Sequence, residues 1–305
     1  MFVAVGTGLL TSVVAGKALT RGLVGIPPSR RRTTEWLIVA GALGVAVWGY
    51  FASDGTLGQR VLVFLLATLP GFLAYLLWRT ALASALLALM PLYFAITPGG
   101  TPHLPALGLD RALPVRPAWM LVYASLFLCV LLPLLVVRDQ LLFRRTLKAF
   151  LTVWIIAFVG FLAYPTVAPR PTQVPGDGFL PWFLRLFYTL DTPLNCFPSL
   201  HVAQSFVAAL ACFRVHRGVG YAALVWASLI GVSTLYTKQH YVVDVIAGTA
   251  MAIVAYALFL RGHPREAVPE DDRRLAPRRA VTVVGLYGLI LAVVFVLYRT
   301  GAVVV

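Results

Sequence analysis

Long apolar runs, separated by short segments rich in arginine, proline and glycine, set the pattern of this 305-residue chain. Eight runs predict membrane-spanning helices, at 35–53, 59–78, 81–97, 119–137, 149–165, 199–213, 219–236 and 241–260. A run at 281–298 makes a ninth. A bilayer core takes about 20 apolar residues, with about 17 as a practical minimum. The 199–213 run is short unless its first turn belongs to a site, and 81–97 is short and carries Pro91. Residues 2–16 are apolar, Gly-rich and short, and read as a tenth span, an interfacial helix or a relic of a signal anchor. They lack a clean small-residue cleavage site, so no cleaved signal peptide is expected.

Composition agrees with that pattern. Hydrophobic residues make up 60% of the chain, charged residues only 12%, and the mean hydropathy is +0.87. A soluble domain carries about 25% charged residues. This chain has too few to cover a water-facing surface. The expected fold class is all-α, a polytopic helical bundle of about eight to ten spans. Cys129, Cys196 and Cys212 have no paired metal-ligand spacing, and imply neither a disulfide framework nor a zinc site.

The net charge of +14 is topological rather than a sign of nucleic-acid binding. Arg30–Arg32, the segment "RDQLLFRRTLK" (138–148), Arg214 with Arg217, and the arginines of 261–279 fall on one side if the spans alternate. The positive-inside rule makes that side the cytoplasm, with contacts to anionic lipid headgroups in reach. The opposite side then collects the loops 98–118 and 166–198, the start of the sixth span, and the turn before the eighth.

Two polar motifs open apolar helices on that extracytoplasmic side. "NCFPSLHVAQSF" (195–206) carries Pro198, Ser199 and His201, and "STLYTKQHYVVDVIAG" (233–248) carries His240 and Asp244. Pro198 suits the first turn of a helix, where its missing N–H is not needed. The free N–H groups there, with the helix dipole, favour an anion such as phosphate. Ser199 adds a hydroxyl donor. His240 and Asp244 share a helix face at i,i+4. A carboxylate on one imidazole nitrogen leaves the other as a directed nucleophile or base. Arg170, in "YPTVAPRPTQV", supplies a cation on the same side. Singly, each feature also reads as a helix cap, an interfacial anchor or a structural ion pair. Jointly they converge on one face. His103, His216 and His263 have no such company and read as structural. Trp182, Phe183, Leu186 and Phe187 predict an interfacial helix beside the site, a candidate wall for lipid access.

"CFPSLH" followed by an apolar helix, with "STLYTKQHYVVD" some forty residues on, resembles the type 2 phosphatidic acid phosphatase superfamily. With "YPTVAPRP", the resemblance narrows to its inositol phosphorylceramide synthase and sphingomyelin synthase branch, and covers about residues 119–262. It implies that His240 is the nucleophile forming a phosphohistidine, that Asp244 orients it, and that His201 is the general acid and then base. The resemblance also implies that Ser199 and Arg170 hold the phosphate. No metal or other cofactor is implied.

This chain departs from the superfamily pattern at three positions. Ala163 stands where a lysine is usual, Leu200 where a glycine is, and Thr234 where an arginine is. Two cations of the phosphate cage are missing, which fits a phosphodiester donor better than a phosphomonoester. Lys238, two residues before His240, is a candidate to restore part of that charge, and Thr234 stays a candidate phosphate contact.

The expected division is 1–80, membrane segments outside the core; 81–262, a six-helix catalytic core; and 263–305, a basic cytoplasmic loop and last span. The expected activity is transfer of a phospho-headgroup from a phospholipid to an alcohol or lipid acceptor at the extracytoplasmic face of a bacterial plasma membrane. Hydrolysis of a lipid phosphate or diphosphate, such as phosphatidate or undecaprenyl diphosphate, is the alternative. A non-catalytic lipid transporter or scaffold is a third reading, which does not explain the spacing of the two histidine motifs. No nucleic-acid partner is expected, and the headgroup, the acceptor and the oligomeric state are left open.

Overall fold

In lipid, backbone N–H and C=O groups must be satisfied within the protein, and helices do this segment by segment. The computed structural model describes Tyr93 and residues 101–303, the latter within one compact unit, Ile96–Val305. The expected spans at 35–53, 59–78 and 81–97, the 2–16 stretch, Arg30–Arg32 and the boundary at 80/81 lie outside the described residues, Tyr93 apart. Among the described residues no β-strand forms.

The helices are α1 (Gly108–Ala112), α2 (Met120–Ala124), α3 (Leu126–Val136), α4 (Gln140–Ala163), α5 (Phe179–Leu190), α6 (Leu200–Val215), α7 (Arg217–Tyr236), α8 (Val242–Ala255) and α9 (Glu270–Arg299). A 3-10 turn at Pro117–Trp119 leads into α2, and α8 runs on as a π turn, Tyr256–Leu260. Among the described residues five stretches are long and apolar enough to cross a membrane: Pro117–Val136, Gln140–Ala163, Arg217–Tyr236, Val242–Leu260 and Glu270–Arg299. Their outward residues are large and apolar, among them Val159, Val225, Ile246 and Leu289. The fold is that of an all-helical, polytopic membrane protein.

Two basic segments expected as loops are helical instead. α4 begins at Gln140, because the Asp139 carboxylate accepts from Leu142 N at 2.6 Å and caps the helix. The arginines that follow are good helix formers. α9 begins at Glu270, where Glu270, Asp271 and Asp272 complement the helix dipole in the first turn.

The short helix α6 is the centre of the bundle. Its 16 residues span about 24 Å, less than a hydrocarbon core of about 30 Å. It packs against α3, α4, α7 and α8. Ala203, Ala208, Ala209 and Ala211 on it are fully buried, so the neighbouring helices come close. Enclosure by protein rather than lipid lets it carry Gln204 and Ser205, both buried. Ser205 Oγ donates to the His201 carbonyl at 2.8 Å.

Two ends of the bundle follow. At one, Arg214 Nη2 donates to the His263 carbonyl, and His263 Nε2 lies 3.5 Å from Asp139. At the other, three loop segments meet in two isolated parallel bridges, His103 with Thr166 and Thr166 with Asn195. Phe197 N donates to Thr166 Oγ1 at 2.7 Å. Asp110, buried on α1, accepts from Leu107 N and from Val242 N, each at 2.8 Å, and so ties the 103–116 loop to the start of α8. Two glycines let the 197–199 segment seat between helices. A Cβ on Gly160 would lie 2.4 Å from Pro198 Cδ, and one on Gly248 would lie 2.4 Å from the Ser199 carbonyl oxygen.

Candidate active site

The two histidine motifs meet at this second end. His201 lies in the first turn of α6, and His240 in the turn between α7 and α8. His201 Nδ1 is 3.0 Å from His240 Nε2. His240 Nδ1 is 2.9 Å from the Cys196 carbonyl oxygen and 3.4 Å from Asp244 Oδ2. A carbonyl only accepts, so the hydrogen-bond pattern assigns the His240 proton to Nδ1 and leaves the Nε2 lone pair directed at His201. Orientation of His240, expected from Asp244 alone, is thus shared, and the Cys196 carbonyl is the nearer acceptor.

Asp244 is fully buried and ties the motifs together. Its Oδ2 accepts from Tyr241 N at 2.8 Å, capping α8, and from the Cys196 thiol at 3.0 Å. Its backbone carbonyl accepts from Ser199 N at 3.2 Å. Asp244 Oδ1 has no hydrogen-bond partner among the described residues. Burial, reinforced by the Asp244 carboxylate, pushes the Cys196 thiol well above its ordinary pKa. Cys196 packs with Ala168 and Tyr241 in a small buried cluster behind the histidines.

The remaining expected phosphate contacts are placed as follows. Ser199 is the N-cap of α6, its Oγ accepting from Val202 N at 3.3 Å, so Pro198 precedes the cap instead of occupying the first turn. Arg170 Nε and Nη2 donate to Gln239 Oε1 at 3.1 and 2.6 Å, and Nη1 donates to the carbonyls of Tyr188 and Asp191 at 2.9 and 3.0 Å. The guanidinium also faces the Tyr188 ring, 4.9 Å from its centroid, and lies 3.8 Å from the Asp191 carboxylate. Arg170 therefore sits beside Gln239, the immediate neighbour of His240.

Thr234 and Lys238 are engaged elsewhere. Thr234 is fully buried, and its hydroxyl donates to the Gly231 carbonyl at 2.7 Å. Its role is to close the α7 terminus, since its carbonyl accepts from Gln239 N and His240 N. Lys238 adopts a left-handed backbone conformation, φ 53°, which reverses the chain just before His240. Its Nζ donates to the Asp110 carbonyl at 2.7 Å. Burial lowers its pKa, against the opposing pull of Asp110. It lines a cleft of about 490 Å³ with Asp110, Arg111, Pro169 and Tyr241. The position two residues from His240 suggested proximity to the phosphate, and the turn directs the charge to Asp110 instead.

Aromatic residues wall the histidine pair. Tyr123 meets His201 edge-on at 5.6 Å and Phe187 at 5.8 Å. The expected helix at 180–190 is α5, and its Phe179 and Trp182 pack against Tyr298 of α9. Three contributors were not marked from the sequence. Gln239 adjoins His240 and Cys196 stands two residues before Pro198, so neighbourhood in a motif was their available signal. Asp110, more than a hundred residues upstream, had none.

The arrangement provides a buried imidazole with one nitrogen held by a carbonyl and the other facing a second imidazole within proton-transfer reach, and a guanidinium nearby. Cys196, His240 and Asp244 each also offer a metal-ligand atom, all within 4.8 Å of one another.

The family described as "PAP2 superfamily" matches residues 103–258, just over half of the chain. A PA-phosphatase related-family protein of Dictyostelium discoideum is 29% identical over 133 residues, 39% of this chain and 24% of that protein. An uncharacterized protein of Methanocaldococcus jannaschii is 36% identical over 73 residues, 24% of this chain and 30% of its own. The bacitracin transport permease protein BcrC of Bacillus licheniformis is 35% identical over 66 residues, 22% of this chain and 32% of its own. The chain thus spans between about a quarter and a third of the length of these relatives. No solved structure matches it significantly.

Proposed function

The chain belongs to the PAP2 superfamily, and from that premise we propose that it is a membrane enzyme of lipid phosphatase type, which cleaves a lipid phosphoester through His240. The observation that carries this reading is the 3.0 Å contact between His201 Nδ1 and His240 Nε2, with the His240 proton held at Nδ1 by the Cys196 carbonyl.

In the proposed reaction the two rings part from their 3.0 Å contact and the phosphoryl group enters between them. His240 Nε2 attacks phosphorus, and the bond from phosphorus to the leaving oxygen breaks. His201, charged by a proton that enters with the anionic substrate, gives that proton to the leaving oxygen. The adduct leaves His240 cationic with its proton still at Nδ1, where Asp244 and the Cys196 carbonyl offset the charge. His201, now neutral, takes the proton of the acceptor hydroxyl as that oxygen attacks phosphorus and releases His240. Arg170 supplies electrostatic stabilisation to the phosphoryl oxygens. No metal takes part in these steps. The histidine end faces the extracytoplasmic side, because the arginine-rich end is the one retained in the cytoplasm.

The finer reading is a phosphotransferase. Lys238 is engaged by the Asp110 carbonyl, Ala163 and Thr234 stand where the superfamily pattern has cations, and among the described residues Arg170 is the cation beside His240. A monoanionic phosphodiester needs less positive charge than a dianionic monoester, in line with the resemblance to the inositol phosphorylceramide synthase and sphingomyelin synthase branch. The aromatic wall of Tyr123 and Phe187 favours a positioned alcohol over bulk water. The second reading, water as acceptor, is favoured by the relative named as phosphatase-related. Labelled donor supplied to purified enzyme, with and without lipid or polyol alcohols, distinguishes them. Transfer product that rises with acceptor supports the transferase. Release of inorganic phosphate from phosphatidate or a polyprenyl diphosphate, indifferent to any alcohol, assigns the hydrolase. Activity that falls on chelation by EDTA would refute both.

A further inference from the structure

We propose that Cys196, His240 and Asp244 form an inhibitory site for a thiophilic divalent cation, zinc above all. The metal site stands on its own geometry, and its inhibitory consequence rests on the reading of His240 as nucleophile.

The three ligand atoms form a triangle with edges of 3.0 Å from Cys196 Sγ to Asp244 Oδ2, 3.6 Å from Sγ to His240 Nδ1, and 3.4 Å from Nδ1 to Oδ2. Tetrahedral zinc binds sulfur at about 2.3 Å and imidazole nitrogen or carboxylate oxygen at about 2.0–2.2 Å, which separates its ligands by roughly 3.3–3.6 Å. The triangle needs little rearrangement to accept the ion. One thiolate, one imidazole and one carboxylate is a donor set that suits zinc and disfavours magnesium or calcium, which take oxygen ligands. All three residues are buried, with Asp244 wholly so. Asp244 Oδ1, the other oxygen of the same carboxylate, has no hydrogen-bond partner among the described residues, so this buried carboxylate is incompletely solvated and its charge favours a cation beside it.

The Cys196 thiol loses its proton to solvent and becomes the thiolate ligand. His240 binds through the Nδ1 lone pair, giving up its bond to the Cys196 carbonyl, and its proton moves to Nε2. The dipositive ion is neutralised by thiolate and carboxylate. With Nε2 protonated, the lone pair that would attack phosphorus is gone. Zinc on this site therefore switches off the nucleophile by selecting the wrong tautomer, without entering the space between the two rings.

The test replaces zinc with Co²⁺ in purified, detergent-solubilised full-length protein and reads the thiolate-to-cobalt charge-transfer absorbance. The band should appear, be displaced by stoichiometric Zn²⁺, and vanish in Cys196→Ser and Cys196→Ala. It should persist in Cys129→Ser and Cys212→Ser, whose thiols are buried elsewhere in the bundle. Helical circular dichroism and its melt identify any variant that fails to fold, and two substitutions at Cys196 keep the outcome readable. Zinc should lower turnover at least about tenfold, reversed by EDTA. No band in the wild type, or a band unchanged by either Cys196 variant, overturns the proposal and leaves the reading of His240 untouched. A Cys196-dependent band with turnover indifferent to zinc overturns the inhibition and the nucleophile assignment together.

Discussion

His240 and His263 are buried to nearly the same degree, 3% and 1% exposed, at opposite ends of one bundle. The ends are separated by the length of α4, whose 24 residues rise about 36 Å. Around His240 each ring nitrogen has a distinct partner, a carbonyl on one side and the His201 ring on the other. Around His263 neither ring nitrogen makes a hydrogen bond among the described residues, and the nearest acid, Asp139, lies 3.5 Å away. Arg145 and Arg214 surround it, the latter held on its carbonyl. Burial alone therefore says little about a histidine. What its two nitrogens touch decides whether it can act as a base or nucleophile. The contrast extends to charge: at the arginine end burial, helped by Arg217, Arg214 and Arg273, lowers the pKa of Arg265, while the histidine end keeps Arg170 hydrogen-bonded to Gln239.

The largest difference should appear on deleting each ring. His240→Ala should lower turnover by at least about 10⁴-fold, the scale of losing a member of a catalytic triad, whereas His263→Ala should stay within about threefold. Equal losses in a purified assay would erase the distinction between the two ends. Asp244→Asn comes next, with an expected loss of about 10²- to 10⁴-fold. The amide can no longer accept on every face that now serves Tyr241 N, the Cys196 thiol and His240 Nδ1, and a phosphoenzyme trapping assay should show slowed formation.

Packing sharpens the comparison at a smaller scale. Gly248→Ala forces a methyl against the Ser199 carbonyl, which itself belongs to the segment holding the two motifs together. It should cost about 1–3 kcal/mol in a detergent melt and lower turnover with it. Gly288→Ala, in α9 with nothing within 4 Å of the added carbon, should change stability by no more than about 1 kcal/mol. A Gly248→Ala protein as stable and active as the parent would mean that this close approach is not needed.

The smallest effect concerns pH at the arginine end. Burial, helped by Arg145 and Arg214 and opposed by Asp139, lowers the His263 pKa below its ordinary value of 6.5. A histidine neutral in the folded state but protonated when unfolded contributes stability fully above that ordinary value. The contribution is lost as pH falls from there towards the lowered folded pKa. Wild type should melt a few degrees lower at pH 5.5 than at pH 7.5. His263→Gln should flatten part of that difference, and an unchanged pH dependence would show that His263 is not the group responsible.

Several features were legible in the chain because they are local. Unbroken apolar runs of this length dictate helices in a membrane, and α6, α7 and α8 fall within a few residues of their expected positions, since a helix satisfies its own backbone within one segment. The pairing of the two histidine motifs was legible as well, because an even number of crossings returns the chain to the same side. The charged segments that extend α4 and α9 differ from the expected loops, because polarity does not by itself break a helix and arginine and glutamate favour one.

What the sequence by itself determined is the helical membrane class and the opening of two helices by polar histidine motifs that an even number of crossings returns to a common side. Only the tertiary structure decided which partner each group meets. Lys238 is two residues from His240 along the chain, yet a left-handed turn directs its charge to the carbonyl of Asp110, more than a hundred residues upstream. Cys196 carries no metal-ligand spacing, yet a loop seated between Gly160 and Gly248 sets its thiol against Asp244 and its carbonyl against His240. Periodicity and composition act through neighbours in the chain and the surrounding medium. Hydrogen bonds and ligand geometry depend on ångström-scale approach between segments far apart in sequence, and only the packed bundle fixes those distances.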